Sequence, residues 1–138
     1  MWTVDGVIDE AIEKLDLPKE GFLELEREDA EQVVAKAREK YVKGNPRVWW
    51  TGLKFKPQSK DTDPDDLSYL DAELEGREEL FYFVPENESD APRVFRVNLD
   101  GLKALLAECV FFEYNLVGPG FNWLIIENDH NELLVVDE

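Results

Sequence analysis

Glu113, Glu127 and His130 are the residues whose types and spacing come nearest to a reactive set, with Asp129 beside them. Two carboxylates on one face can share a proton or hold a divalent ion, and a lone imidazole can serve as base. On that chemistry the three would form a small hydrolytic or metal-dependent site. The competing expectation is that both glutamates are ordinary solvated sheet positions and that His130 occupies a turn where histidine is well tolerated. The rest of the chain lends the reactive reading little. It has one His and one Cys, and it lacks HExxH, GxGxxG, a P-loop or a nucleophile elbow. Ser59, Ser68 and Ser89 all stand in polar loop or cap contexts. The expectation is therefore no catalytic residue, no metal and no cofactor, with the glutamate pair and His130 kept as the alternative.

These residues need a platform, and Val110–Asp137 supplies one. Its apolar runs, broken at Gly118-Pro119-Gly120 and at Asp129-His130-Asn131-Glu132, read as a three-stranded antiparallel meander. A three-residue loop at 118–120 sets Val117 opposite Phe121, and opposed residues share a face. One face then carries Phe112, Tyr114, Leu116, Leu124 and Ile126 and packs on helices. The other gathers Glu113, Asn115, Trp123 and Glu127, half aromatic and half carboxylate. Asn128 opposite Leu133 brings Leu134 and Val136 to that second face. A slip of one residue exchanges the faces of the paired strands.

Upstream, Val4 to Leu15 carries apolar residues at helical spacing, with Asp5 as cap and Pro18 as stop. Gly21–Glu26 reads as either a loop or an edge strand. A second helix follows, with Ala30, Val33, Val34, Ala37 and Tyr41 as its apolar stripe, and ends before Gly44. Arg47–Lys56 is rich in β-formers and reads as a strand, so Trp49 and Trp50 point to opposite faces, one to the core and one to a rim. Residues 57–66 read as a polar loop. Its Asp61-Thr62-Asp63-Pro64 run imitates the start of an EF-hand but lacks the central glycine. A short helix at 66–75, strands at 80–84 and 94–97, and a helix capped by Asn98 or Asp100 complete the series. The pattern predicts one α+β domain over residues 1–138. It has an antiparallel sheet of about five to six strands against two to four helices.

Charge restricts the partners. The formal net charge is -17. Such a chain repels phosphate backbones and anionic membranes, and attracts basic proteins. Residues 59–90 hold twelve Asp and Glu against Lys60 and Arg77, whereas residues 36–56 hold seven Lys and Arg against Glu39. No apolar run approaches the roughly 18 residues of a membrane span, and no basic-then-apolar leader follows Met1, so the expected location is the cytoplasm. Cys109, opening an apolar run, reads as a buried inert thiol.

The runs Phe112-Glu113-Tyr114, Phe121-Asn122-Trp123-Leu124 and Glu127-Asn128-Asp129-His130, with Gly44-Asn45-Pro46 and Trp49-Trp50, resemble a pattern in small bacterial α+β domains. Some of these look like immunity proteins of polymorphic-toxin systems. Where that pattern often shows two histidines in the last turn, this chain has Asp129-His130. The resemblance implies an intracellular role in binding a partner, such as a basic nuclease toxin, with no reaction of its own. The binding residues expected are Glu113, Asn115, Trp123, Glu127 and His130, with Trp49 or Trp50 as an aromatic anchor.

Overall fold

In a computed structural model, which describes residues 2–63 and 65–137, four α-helices pack on a seven-stranded antiparallel sheet. The class is α+β, as the pattern predicts, with more strands than expected. Pro64, in the stretch that imitates an EF-hand, lies outside the described residues.

Helix α1 (Val4–Leu15) begins at Thr3, whose hydroxyl accepts from the Gly6 amide at 3.0 Å. Thr3, not Asp5, is therefore the cap, and Asp5 instead faces Arg93 and Asn87. The helix ends at Asp16 in the left-handed region (φ 49°), two residues before Pro18. Strand β1 (Phe22–Glu24) is an edge strand, the second of the two readings open for that segment. Helix α2 (Arg27–Tyr41) buries Ala30, Val33, Ala37 and Tyr41 of the expected stripe, with Val34 partly buried beside them, acids in its first turn and Arg38 and Lys40 in its last.

The next segment departs from expectation. Trp49–Gly52 forms a 3-10 turn in place of a strand, and only Leu53 makes a bridge, to Val42. Pro46 packs against Gly52, and the Gly52 carbonyl accepts from the Lys43 amide, so the chain doubles back on the end of α2 instead of extending. The strand lies further on. Gln58–Asp61 is β2, inside the stretch expected to be a loop, and it pairs along the outer strand of the C-terminal meander. All four of its residues are exposed and none is apolar, so alternation gave no sign of it. A polar edge of this kind discourages pairing with another chain.

Helix α3 (Ser68–Leu74) buries Leu70 and Leu74; strands β3 (Phe81–Pro85) and β4 (Phe95–Val97) follow as a pair. Helix α4 (Leu99–Glu108) is capped by Asn98, which accepts from Gly101 N at 2.8 Å. Gly101 is required by proximity, because a Cβ there would strike the Gly21 carbonyl. Strands β5 (Tyr114–Val117), β6 (Trp123–Glu127) and β7 (Glu132–Asp137) form the expected meander, and the sheet order is β1-β4-β3-β5-β6-β7-β2.

The sheet is covered on both faces. Helices α1, α3 and α4 bury one face with Phe81, Phe83, Tyr114, Leu116, Trp123, Ile125, Leu133 and Val135. Helix α2 and Trp49 bury the other with Val84, Val117, Leu124, Ile126, Leu134 and Val136. No described helix is long and apolar enough to cross a membrane.

Candidate functional site

The register of the meander decides where every candidate side chain goes. Val117 pairs with Leu124 and Tyr114 with Glu127. The Gly118 amide bonds to the Trp123 carbonyl at 3.1 Å, so residues 119–122 make the connection. The expected pairing of Val117 with Phe121 is therefore wrong by an odd number of residues, and β6 presents the opposite faces. Two contacts account for this. The loop turns at Phe121 (φ 57°), whose carbonyl accepts from Lys40 and, at 2.8 Å, from the Tyr41 hydroxyl, so α2 holds the loop open. Gly118 is also where the Trp123 indole packs, leaving no space for a Cβ.

The second pairing is shifted by one residue from the expected Asn128–Leu133. Glu127 pairs with Leu133, Asn131 turns in the left-handed region (φ 59°), and Asn128 accepts from the amides of His130 and Glu132. The two displacements offset each other in parity. Strands β5 and β7 keep the common faces expected of them, and β6 alone is inverted.

The expected surface of Glu113, Asn115, Trp123 and Glu127 consequently does not exist. Trp123 and Glu127 turn toward the three-helix face; Asn115 turns toward the other. Asn115 is 1% exposed and donates to the Val84 carbonyl and, at 2.7 Å, to Glu86. Burial raises the Glu86 carboxyl pKa; the Asn115 hydrogen bond opposes the shift, and Glu113 adds to it. The reactive set is divided as well. Glu113, half-buried, accepts from Trp50 Nε1 at 2.8 Å and from the Asp129 amide, with His130 edge-on to the Trp50 ring. Glu127 lies across the sheet. Trp50, Glu113 and His130 do come together, and Trp49 is core at 3% exposure, so the expected division of the two tryptophans holds.

Glu127 sits where sequence reasoning did not look for a polar cluster. At 6% exposure, its Oε1 accepts from the Tyr69 hydroxyl at 2.7 Å and from the Tyr114 hydroxyl at 2.5 Å. Burial, reinforced by this carboxylate, pushes both tyrosines above their ordinary range. The three residues floor a cavity of about 260 Å³ between the start of α3, the end of α4 and the start of β5. Cys109 lines it, half-buried, and burial pushes its thiol up to about 11, so it is protonated and unreactive at neutral pH. Tyr114 was legible as a sheet residue; its link to Glu127 follows only from the observed register.

A second feature lies beyond the end of α3. Asp71, Glu75, Glu78, Glu79 and Asp100 line an open groove of about 340 Å³, with Arg77 as the single basic residue among its described lining. Arg77 is already committed. It forks onto Asp137 at 2.6 and 3.1 Å, bonds Glu73, and stacks 4.9 Å from the Trp123 ring. Trp123 Nε1 in turn donates to Glu78 at 3.0 Å. Trp123 thus braces the groove from beneath and is no exposed anchor. Among the described residues, no group of three or more His, Cys, Asp or Glu is arranged to hold a metal ion.

The chain belongs to a family of unknown function (DUF6756), which it matches over residues 3–138. No curated protein and no solved structure matches it.

Proposed function

We propose that this chain is a non-enzymatic binding protein that docks on a basic protein, in the manner of an immunity protein holding a nuclease toxin. The observation that carries the reading is the groove at the end of α3. Five carboxylates converge there, and Arg77, the only cation of its described lining, is bound by Asp137 and Glu73. Lys60 and Lys103, which flank the same helix, are likewise bound, to Glu73 and Asp71. Asp71 is thus paired, while Glu75, Glu78, Glu79 and Asp100 have no cationic partner among the described residues, and ten of the twelve acids between residues 59 and 90 are exposed. Such a field steers a basic partner and raises its association rate by roughly 10- to 1,000-fold, an effect that salt screens.

The test is capture of partners from the native host at low salt by three forms of the chain. Glu75→Lys/Glu79→Lys reverses two groove positions, and Glu10→Lys/Glu13→Lys makes the same change in net charge at two exposed positions of α1. The expected outcome is a basic protein captured by the unmodified chain and lost at least about tenfold more with the groove variant than with the α1 variant. Equal losses, or no basic protein at low salt, would overturn the reading.

A further inference from the structure

We infer that the cavity above Glu127 is a binding site for an organic ammonium group carried on an apolar chain. This site is separate from the acidic groove, and the inference does not depend on the function proposed for that groove.

The inference starts from how Glu127 is satisfied. Both tyrosine donors reach the same oxygen, Oε1, and no described residue donates to Oε2. That second oxygen is not sealed in. Among the described residues, the one enclosed side-chain polar atom without a partner is Asn115 Oδ1, on the other face of the sheet. Oε2 therefore keeps accessible surface, and Glu127 is one of the residues that line the cavity. A buried carboxylate with an open oxygen is a costly arrangement unless an opposite charge approaches it.

The walls say what sort of charge. Glu127 and Asp63 are the ionisable carboxylates of the lining, and no described Lys, Arg or His faces the space. Anions are thus disfavoured. Tyr69, Phe112 and Tyr114 make the lining aromatic, and aromatic rings attract cations. Leu67, Leu106 and Cys109 complete an apolar wall suited to hydrocarbon, which a hydrated metal ion would not use. At the mouth, Val110 and Phe111 are 56% and 50% exposed, two of the four large hydrophobic residues left in solvent among those described. An alkyl chain leading inward to an ammonium would cover them.

The test is calorimetric titration of the full chain with n-pentylammonium and with 1-pentanol, its neutral counterpart. The expected result is that the ammonium binds at least about tenfold more tightly than the alcohol, the scale of one charge-assisted hydrogen bond. Glu127→Gln keeps an acceptor for the tyrosines and should remove that preference, whereas Glu75→Lys/Glu79→Lys should preserve it. Phe111→Ser, at the exposed rim, should weaken the ammonium without abolishing its preference over the alcohol. Nα-acetyl-lysine methylamide distinguishes two sources of the same group. Binding comparable to n-pentylammonium assigns the site to a lysine side chain of a partner, and failure of this probe alone assigns it to a free amine. Equal affinity for ammonium and alcohol, absence of ammonium binding, or an unchanged preference in Glu127→Gln would overturn the inference. The comparison of the two ligands on the unmodified chain stands even if a variant fails to fold.

Discussion

Glu127 and the groove at the end of α3 are two acidic regions of one small protein, built on opposite principles. Glu127 is a single carboxylate taken out of water, fixed by two tyrosine hydroxyls and walled by aromatic rings. The groove is many carboxylates left in water, with Arg77, the one cation of its described lining, neutralised from behind. Desolvation makes the first local and selective, because each missing partner is costly. Solvation makes the second long-ranged and tolerant, because no single charge there is worth much. Net charge alone records only the second kind of region.

The sharpest way to break this comparison is to delete each kind of carboxylate and measure unfolding in urea. Glu127→Ala should destabilise by about 2–4 kcal/mol, since it orphans two hydroxyls and opens a cavity. A loss below about 0.5 kcal/mol would mean that Glu127 is solvated like the others. Glu86 lies between the extremes. Its folded pKa is raised, chiefly by burial, so its protonated form is favoured in the fold. That contribution is complete below the ordinary glutamate pKa and is lost as pH rises through the raised value. Glu86→Gln, neutral throughout, should therefore stabilise the protein at pH 7, with the gain fading in acid. A gain that persists unchanged at low pH would contradict the assignment. The smallest effect belongs to the groove. Glu75→Gln/Glu79→Gln should leave stability within about 0.5 kcal/mol, because exposed charges contribute little to folding.

Much of the fold was legible because periodicity reports burial directly. The stripe Ala30, Val33, Ala37, Tyr41 and the leucines of α3 and α4 announced their helices, and of the two caps open for α4, Asn98 or Asp100, Asn98 is the one used. Polar Gln58–Asp61 could not announce a strand, because an exposed edge buries no side chain and needs no alternation. Arg47–Lys56 has strand-forming residues, yet the contact of Pro46 with Gly52 folds it into a turn. The candidate site failed at one loop. Gly118 and Gly120 looked like the turn residues, while the left-handed position is Phe121, held from α2 by Lys40 and Tyr41. No local signal carries that tertiary contact. Inverting β6 alone moved Trp123 and Glu127 from a supposed outer surface into the three-helix face and separated Glu127 from Glu113.

The placement of Glu127 is open to a direct optical measurement, because its two donors are tyrosines and the chain has four in all. Phenolate absorbance followed through alkaline titration should show at least the Tyr69 and Tyr114 hydroxyls ionising only well above the ordinary value near 10. In Glu127→Gln both should fall toward that value, retaining only the share that burial alone imposes. If every tyrosine of the native chain ionises near pH 10, or if Glu127→Gln leaves the curve unchanged, Glu127 does not lie against these hydroxyls. The distinction between the two acidic regions would then be lost.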